Sequence, residues 1–132
     1  NARTANMENV IAIPHLGAST GESEDNCAKM AVKELRDYVE YGTITNSVNY
    51  PVCDAGPFTS VSRIAINHKN IPNMLSQFTT IMSKEGINIE NMTNKSRGDY
   101  AYTVLDIANQ ADENLVKALS GIDGVLKVRI IK

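Results

Sequence analysis

The sequence predicts an α+β protein in which a strand, a loop and a helix precede a four-stranded antiparallel sheet with two helices on one face. In residues 21–41, apolar side chains recur every three or four positions, as in an amphipathic helix. From residue 61 onward, strand-like alternation and helix-like periodicity follow one another as strand-helix-strand-strand-helix-strand. Between these parts, residues 47–59 contain prolines and lack apolar periodicity. We therefore expect a first segment over residues 1–46, a linker over residues 47–59 and a domain over residues 60–132.

The first segment has signals for a short strand and a long helix. Residues 9–13 are mostly apolar and end at Pro14, which predicts a strand. Ser19 and Glu22 have the spacing of a capping box, and acidic residues in the first turn favour the positive end of the helix dipole. Gly42 stands where a glycine commonly ends a helix. We expect the apolar stripe of this helix to pack on another chain or on the following domain; it contains Met30, Ala31, Leu35 and Tyr38.

The second segment is built from two split strand-helix-strand units. Pro72 and Asp112 open the two helices, and Gly86 ends the first of them. The predicted strands cover residues 61–67, 87–93, 100–107 and 125–131. Right-handed connections then place both helices on one sheet face. The opposite face needs a cover, and open sheet edges favour pairing with a second copy.

Composition excludes several functional classes. The chain has 132 residues, 42% of them hydrophobic, and a net charge of −2, so we expect neither nucleic acid nor a membrane as a partner. The two cysteines, Cys27 and Cys53, are too few for a disulfide framework and lack zinc-site spacing. With no signal-peptide pattern at the start, we expect free thiols in a cytoplasmic protein without a metal.

His15 follows the predicted first strand and has two interpretations. A histidine can give or take a proton near neutral pH, which suits general acid–base catalysis. That role requires an orienting partner and a substrate pocket, whereas the nearby Glu22 and Glu24 are explained by the helix cap. From the residues themselves, His15 is either catalytic or a solvated structural histidine.

The loop after the second predicted strand also has two interpretations. His68 and Asn70 lie where a strand end meets a helix N-terminus, whose free N–H groups attract a carboxylate. Such a corner can hold a small molecule, or Asn70 can simply cap the helix. On the last strand, Lys127, Arg129 and Lys132 alternate and predict a solvated face.

These residues together resemble one family. Residues 9–49, with PHLGAST followed by an acidic helix, are similar to the end of the catalytic region of D-3-phosphoglycerate dehydrogenases, a branch of the NAD-dependent 2-hydroxyacid dehydrogenases. Residues 61–132 resemble their C-terminal ACT regulatory domain, whose ferredoxin-like βαββαβ fold has the predicted order of elements. The resemblance implies an oxidoreductase parent that uses NAD in serine biosynthesis.

The resemblance also assigns roles in the first segment. His15 would be the acid/base that protonates the substrate carbonyl as hydride arrives, and Gly17 and Ala18 would lie beside the nicotinamide. The family's orienting glutamate and substrate-binding arginine lie upstream and are missing here, as is a G-x-G-x-x-G fingerprint. We therefore expect the chain by itself to be inactive and to bind no NAD.

In the regulatory domain, the resemblance assigns an effector site. The family's H-x-N motif and an asparagine at the start of the second strand of the domain bind L-serine across a dimer contact, and the matching residues are His68, Asn70 and Asn88. Binding there would bias the orientation of the subunits and so the catalytic cleft. The family's Pro-Gly is replaced by Pro72-Asn73, which adds a side chain to the corner.

The sequence therefore favours a fragment that dimerises and binds an L-serine-like amino acid. Three alternatives stay open: an ACT assembly domain without a ligand, the regulatory end of another NAD-dependent 2-hydroxyacid dehydrogenase, and an enzyme that acts by itself. The expected partners are a second copy, through the ACT domain and the exposed helix, and a small amino-acid effector.

Overall fold

The computed structural model describes residues 7–131. In this range the elements are α1 (Gly21–Tyr41), β1 (Ser62–Lys69), α2 (Met74–Lys84), β2 (Ile89–Arg97), β3 (Tyr100–Ile107), α3 (Glu113–Ser120) and β4 (Val125–Ile130). The strands form one antiparallel sheet in the order β2-β3-β1-β4. The predicted α+β class and the βαββαβ order of the ACT fold are thereby confirmed. Chain contacts define two units, residues 1–32 and 33–132, which are described separately.

In the first unit, the prediction of a strand over residues 9–13 is wrong. These residues are exposed and have no strand conformation, and Asn9 has a left-handed backbone with φ 66°. A strand is stabilised by hydrogen bonds to a neighbouring strand, and no strand pairs with this segment within residues 7–131. The apolar pattern therefore leads here to a loop.

The start of α1 differs from the prediction by one residue. Thr20 caps the helix, because its Oγ1 accepts a hydrogen bond from the backbone N–H of Ser23 at 3.2 Å. Ser19 does not have this role. Glu22 and Glu24 lie in the first turn as predicted, at the positive end of the helix dipole.

The second unit begins within α1, which ends as predicted at Gly42. The φ of Gly42 is 73°, and its N–H donates to the carbonyl of Tyr38 at 3.1 Å. A Cβ atom here would lie 3.1 Å from the Tyr102 hydroxyl oxygen, so glycine also permits a close approach. Tyr38 packs against the sheet, whereas Leu35 is 64% exposed. Of the two stripe residues in this unit, Tyr38 thus packs on the sheet and Leu35 is exposed, and the cover of the stripe by another chain stays a prediction.

The sheet has two different buried faces. One face packs against α2 and α3, with a core of Ile64, Ile66, Met74, Phe78, Met82, Leu105, Ile107, Leu115 and Leu119. The other face has a smaller cluster of Ile44, Cys53, Ala65, Tyr102 and Val104. Cys53 belongs to residues 47–59 and pairs with Ile44 in an isolated antiparallel bridge. This segment therefore covers the second face, while the division into residues 1–46, 47–59 and 60–132 stays a prediction.

Arg63 on β1 organises the second face. It is fully buried, and its Nε and Nη2 donate to the two carboxylate oxygens of Asp106, the latter at 2.8 Å. The remaining N–H groups donate to the carbonyls of Tyr41 at 3.1 Å, Gly56 at 2.9 Å and Ala55 at 3.3 Å. All five guanidinium N–H groups thus have acceptors. One side chain ties together β1, β3, the end of α1 and the covering segment.

Two more contacts fasten α1 to this face. The hydroxyl of Tyr102 donates to the carbonyl of Gly42 at 2.7 Å, and burial raises the pKa of this tyrosine well above its usual value. Arg129 donates to the carbonyl of Tyr38 and lies 4.1 Å from the centre of its ring. The prediction of a solvated face is therefore wrong for Arg129, although Lys127 is exposed. Lys132 lies outside the described residues.

Among the described residues, no helix is both long and apolar enough to cross a membrane. The same residues contain no group of three or more side chains suited to a metal ion. Cys27 is exposed, Cys53 is buried, and both are free thiols.

We expect Asp106→Asn to lower the free energy of unfolding by roughly 3 kcal/mol, because it leaves the buried Arg63 without its charge partner. Urea unfolding followed by circular dichroism measures the change. Replacing both partners, as Arg63→Met with Asp106→Leu, should cost clearly less than the sum of the single substitutions.

The matched control is the exposed ion pair of Lys33 with Asp37, 2.9 Å long on α1. Lys33→Gln should change the free energy of unfolding by less than about 0.5 kcal/mol. Equal effects of Asp106→Asn and Lys33→Gln would contradict the central role of the buried pair.

Candidate functional site

The residues with predicted catalytic and cofactor roles lie in the first unit. His15 lies in a bend, Gly17 and Ala18 lie in a turn, and all three are exposed. The neighbouring Glu22 and Glu24 belong to the first turn of α1. The proton-transfer role of His15 and the cofactor contacts of Gly17 and Ala18 stay predictions.

The predicted effector corner joins β1 to α2. Asn70 donates from Nδ2 to the carbonyl of Gly98 at 3.0 Å, and its backbone N–H donates to the carbonyl of Asp99 at 2.9 Å. Asn70 thus ties this loop to the β2–β3 turn. The N-cap of α2 is Asn73, so the alternative that Asn70 caps the helix is wrong.

Asn73 provides an unusual backbone at the start of α2. Its φ of 68° and ψ of 8° are left-handed, a conformation that asparagine tolerates better than most residues. Its side chain forms no capping hydrogen bond, and the first turn contains no acidic residue. The first N–H groups of α2 therefore lack a side-chain acceptor from the N-cap and remain available to an anionic group.

His68 lies on the helix-covered sheet face and is only 2% exposed. Its Nδ1 is 2.8 Å from the carbonyl oxygen of Lys69, and its Nε2 is 2.8 Å from Oγ1 of Thr103. The ring of Phe78 meets it edge to face, with 5.2 Å between the centres. Burial lowers the pKa of His68, while the Lys69 carbonyl and the Asn94 side chain partly oppose that shift. Both ring nitrogens of His68 therefore have hydrogen-bond partners within the chain.

The sequence prediction missed the rest of this polar group. Oγ1 of Thr103 is 2.9 Å from Oδ1 of Asn94, which pairs with Thr103 across β2 and β3 and is exposed. His68, Thr103 and Asn94 thus form a continuous chain of side chains over three neighbouring strands. One signal for this group is present in the sequence. Thr103 is polar, whereas residues 101, 105 and 107 on the same face of its strand are apolar.

The third predicted effector residue, Asn88, lies elsewhere. It precedes β2 and is exposed, and its carbonyl accepts the N–H of Ala108 at 3.0 Å. Ser96, eight residues further along, is the β2 residue level with His68 across β3. At the usual rise of a strand, Asn88 is on the order of 25 Å from the end of the sheet that contains His68 and Asn70. A site with all three residues therefore needs two chains.

One concave region of the second unit lies apart from this corner. It has a volume of about 990 Å³. None of the six predicted site residues lines it; its lining includes Asp37, Glu40, Asp54, Phe58 and Ile131. The predicted effector residues therefore do not line this concave region, and their binding role stays a prediction.

Several known proteins that are similar to this chain in sequence have the same enzyme name. No family model matches the chain. The chain is 28% identical over 127 residues to D-3-phosphoglycerate dehydrogenase of Escherichia coli strain K12, which covers 95% of this chain and 31% of that protein. It is 27% identical to the Haemophilus influenzae enzyme of the same name and 26% identical to D-3-phosphoglycerate dehydrogenase 1 of Saccharomyces cerevisiae, each over 95% of this chain.

Among solved structures, the ACT domain from GTP pyrophosphokinase of Chlorobium tepidum aligns with 52% of this chain and 94% of its own, at 22% identity and a TM-score of 0.46. The chain spans about a third of the length of the dehydrogenases that it matches. Over 95% of its own length, the chain is thus related in sequence to D-3-phosphoglycerate dehydrogenases, as its motifs predicted.

Proposed function

We propose that residues 33–132 form a regulatory domain that binds a small amino acid, with L-serine as the first candidate, between two copies of the chain. The observation that carries this proposal is the placement of Asn70 and Asn88 at opposite ends of the sheet. A two-fold axis brings opposite ends of two copies together, so each corner can meet the partner's β2 start. The sequence relation to D-3-phosphoglycerate dehydrogenases supports the same arrangement.

The chemistry of the corner suits an amino acid. A ligand of this class has a carboxylate and an ammonium group at fixed separation. The N–H groups that begin α2 favour the carboxylate, and no acidic side chain in the first turn competes for them. The amides of Asn70 and Asn88 can each donate and accept, so they can contact the ammonium group and a side-chain hydroxyl.

The same relation supports a proposal for the longer protein. Its activity would be NAD-dependent oxidation of 3-phosphoglycerate in the cytoplasm, with His15 as acid/base and with Gly17 and Ala18 beside the nicotinamide. Gly17 and Ala18 lie in an exposed turn, and the sequence contains no G-x-G-x-x-G fingerprint for a dinucleotide. The chain by itself is therefore proposed to regulate and assemble, without turnover and without NAD.

A second candidate is an assembly domain that has no ligand. It is favoured by Asn73, whose side chain occupies a corner where the family pattern has glycine, and by the engagement of the Asn70 amide with Gly98. In that case the chain would dimerise and ignore every amino acid.

The first test is calorimetry of the 132-residue chain with L-serine. We expect saturable binding, weakened at least tenfold by Asn88→Ala, because a ligand contact is removed. Asn91→Ala changes an exposed asparagine three residues further along, on β2; it is the matched control and should bind like the unchanged chain. Absence of heat at millimolar serine, with a dimer verified by ultracentrifugation, would favour the assembly domain.

A mixing experiment tests whether the site spans two chains. Asn70→Ala and Asn88→Ala homodimers should each bind serine poorly, since every site lacks one asparagine. A mixed dimer contains one site with both substitutions and one intact site. Exchange between equal amounts of the two variants makes half of the dimers mixed, so calorimetry should recover about a quarter of the normal stoichiometry, whereas a site within one chain would recover none.

Replacement of Asn73 tests the corner itself. Asn73→Gly keeps the left-handed backbone without strain and removes the side chain, so we expect tighter serine binding. Asn73→Ala removes the same side chain but should cost about 1 kcal/mol of stability, because alanine is strained at φ 68°. Calorimetry and thermal unfolding measure the two effects, and unchanged affinity in Asn73→Gly would contradict obstruction by Asn73.

A further inference from the structure

The contacts of His68, Thr103 and Asn94 allow only two arrangements of protons. Nδ1 of His68 lies 2.8 Å from the Lys69 carbonyl oxygen. A carbonyl only accepts, so Nδ1 carries a proton in both arrangements. The two states of the histidine therefore differ only at Nε2, which faces Oγ1 of Thr103 at 2.8 Å.

When the ring is neutral, Nε2 has a lone pair and must accept. The single hydroxyl proton of Thr103 then points to Nε2, and Oγ1 can only accept from its other neighbour. Asn94 must consequently turn its NH₂ group toward Thr103, and its carbonyl oxygen faces solvent.

When the ring is charged, the direction reverses. Nε2–H donates to Oγ1, the Thr103 hydroxyl donates to Oδ1 of Asn94, and the NH₂ group faces solvent. The structure has Oδ1 2.9 Å from Oγ1, which is this second arrangement. Burial lowers the pKa of His68 and so favours the first arrangement at neutral pH.

We propose that His68 is a positioning residue which, through Thr103, determines whether Asn94 presents a carbonyl oxygen or an NH₂ group at the edge of β2. Asn94 is exposed on an edge strand, so its amide can turn without moving buried neighbours. It lies near the end of the sheet that has the Asn70 corner. A carboxylate there would meet an acceptor when His68 is neutral and a donor when it is charged; this last step rests on the proposed function.

Charged side chains near His68 do not account for its proposed coupling to Asn94. Strand alternation puts Lys69, Lys95, Arg97 and Lys127 on the opposite sheet face from His68. On the helices packed against that face, the titratable residues are Lys84 near the end of α2 and Glu113 and Lys117 on α3. Asp99 and Asp123 lie in the loops at this end of the sheet, and both are exposed. The pKa shift of His68 arises from burial, the Lys69 carbonyl and the Asn94 side chain.

Nuclear magnetic resonance of the 132-residue chain, with labelled histidine and asparagine, tests the relay without a ligand. From pH 8 to pH 4.5, the Asn94 side-chain NH₂ resonances should shift with the same midpoint as the His68 ring, at a pH below 6.5. Thr103→Val removes the hydroxyl at nearly constant volume and should leave His68 titrating while Asn94 no longer follows. Thr103→Ser keeps the hydroxyl and should restore the coupling.

Thr93→Val is the matched control, because Thr93 is a neighbour of Asn94 on the other sheet face. It should leave the coupling intact. The proposal is overturned if Asn94 does not respond to the His68 titration in the unchanged chain. It is also overturned if Asn94 follows His68 equally in Thr103→Val, since this would show an effect of charge through space.

Calorimetry then separates this proposal from the proposed function. Loss of serine binding at every pH would reject the effector site and leave the relay to be judged by the resonance data. With binding present, affinity for L-serine should change about fivefold across the His68 titration, the effect of one neutral hydrogen bond. Thr103→Val should remove that change and Thr103→Ser should retain it; a change equally large in Thr103→Val would reject the role of the relay in binding.

Discussion

The buried guanidinium of Arg63 is the constraint on which the second sheet face depends. A charged group without solvent must have acceptors for its N–H groups, or its burial costs several kcal/mol. Asp106 supplies two acceptors across the sheet, and the carbonyls of Tyr41, Gly56 and Ala55 supply the others. The backbone of the covering segment must therefore follow a path that aims its carbonyls inward. Burial of Cys53 and Tyr102 beside it follows from that path.

Because both faces of the sheet are covered, the edges and the ends of the sheet remain for functional contacts. One face packs on α2 and α3, the other is covered by the chain itself, and β2 and β4 remain as the two edges. The register from β2 through β3 to β1, with one irregularity between Ile89 and Asn91, then places Asn88 and Asn70 at opposite ends of the sheet. Because neither end can bend toward the other, the two asparagines cooperate only if two sheets meet. The same packing that stabilises one chain thus favours a site shared by two.

The sequence predicts what is local and misses what depends on distant backbone atoms. The strands and helices of the second unit follow from their own periodicity, and connection handedness orders them. The strand predicted at residues 9–13 fails because pairing requires a neighbour that an apolar pattern does not reveal. Arg63 and Asp106 are 43 residues apart, and three of the acceptors of Arg63 are carbonyls, which have no sequence signature. His68 and Asn70 were found through their loop, whereas Thr103 and Asn94 needed the strand register.

The hydrogen-bonded side chains of His68, Thr103 and Asn94 lie against an apolar layer, and their presence there requires a physical reason. Valine has nearly the volume of threonine, so packing by itself does not require a hydroxyl at position 103. A buried imidazole does require one, because its Nε2 would otherwise lose a hydrogen bond in a medium where that loss costs about 1–3 kcal/mol. Once Thr103 satisfies His68, its second hydrogen bond must satisfy an edge residue, and Asn94 accepts either direction because an amide has both a donor and an acceptor. The burial of His68 therefore connects the interior of the domain to the chemistry of its exposed edge.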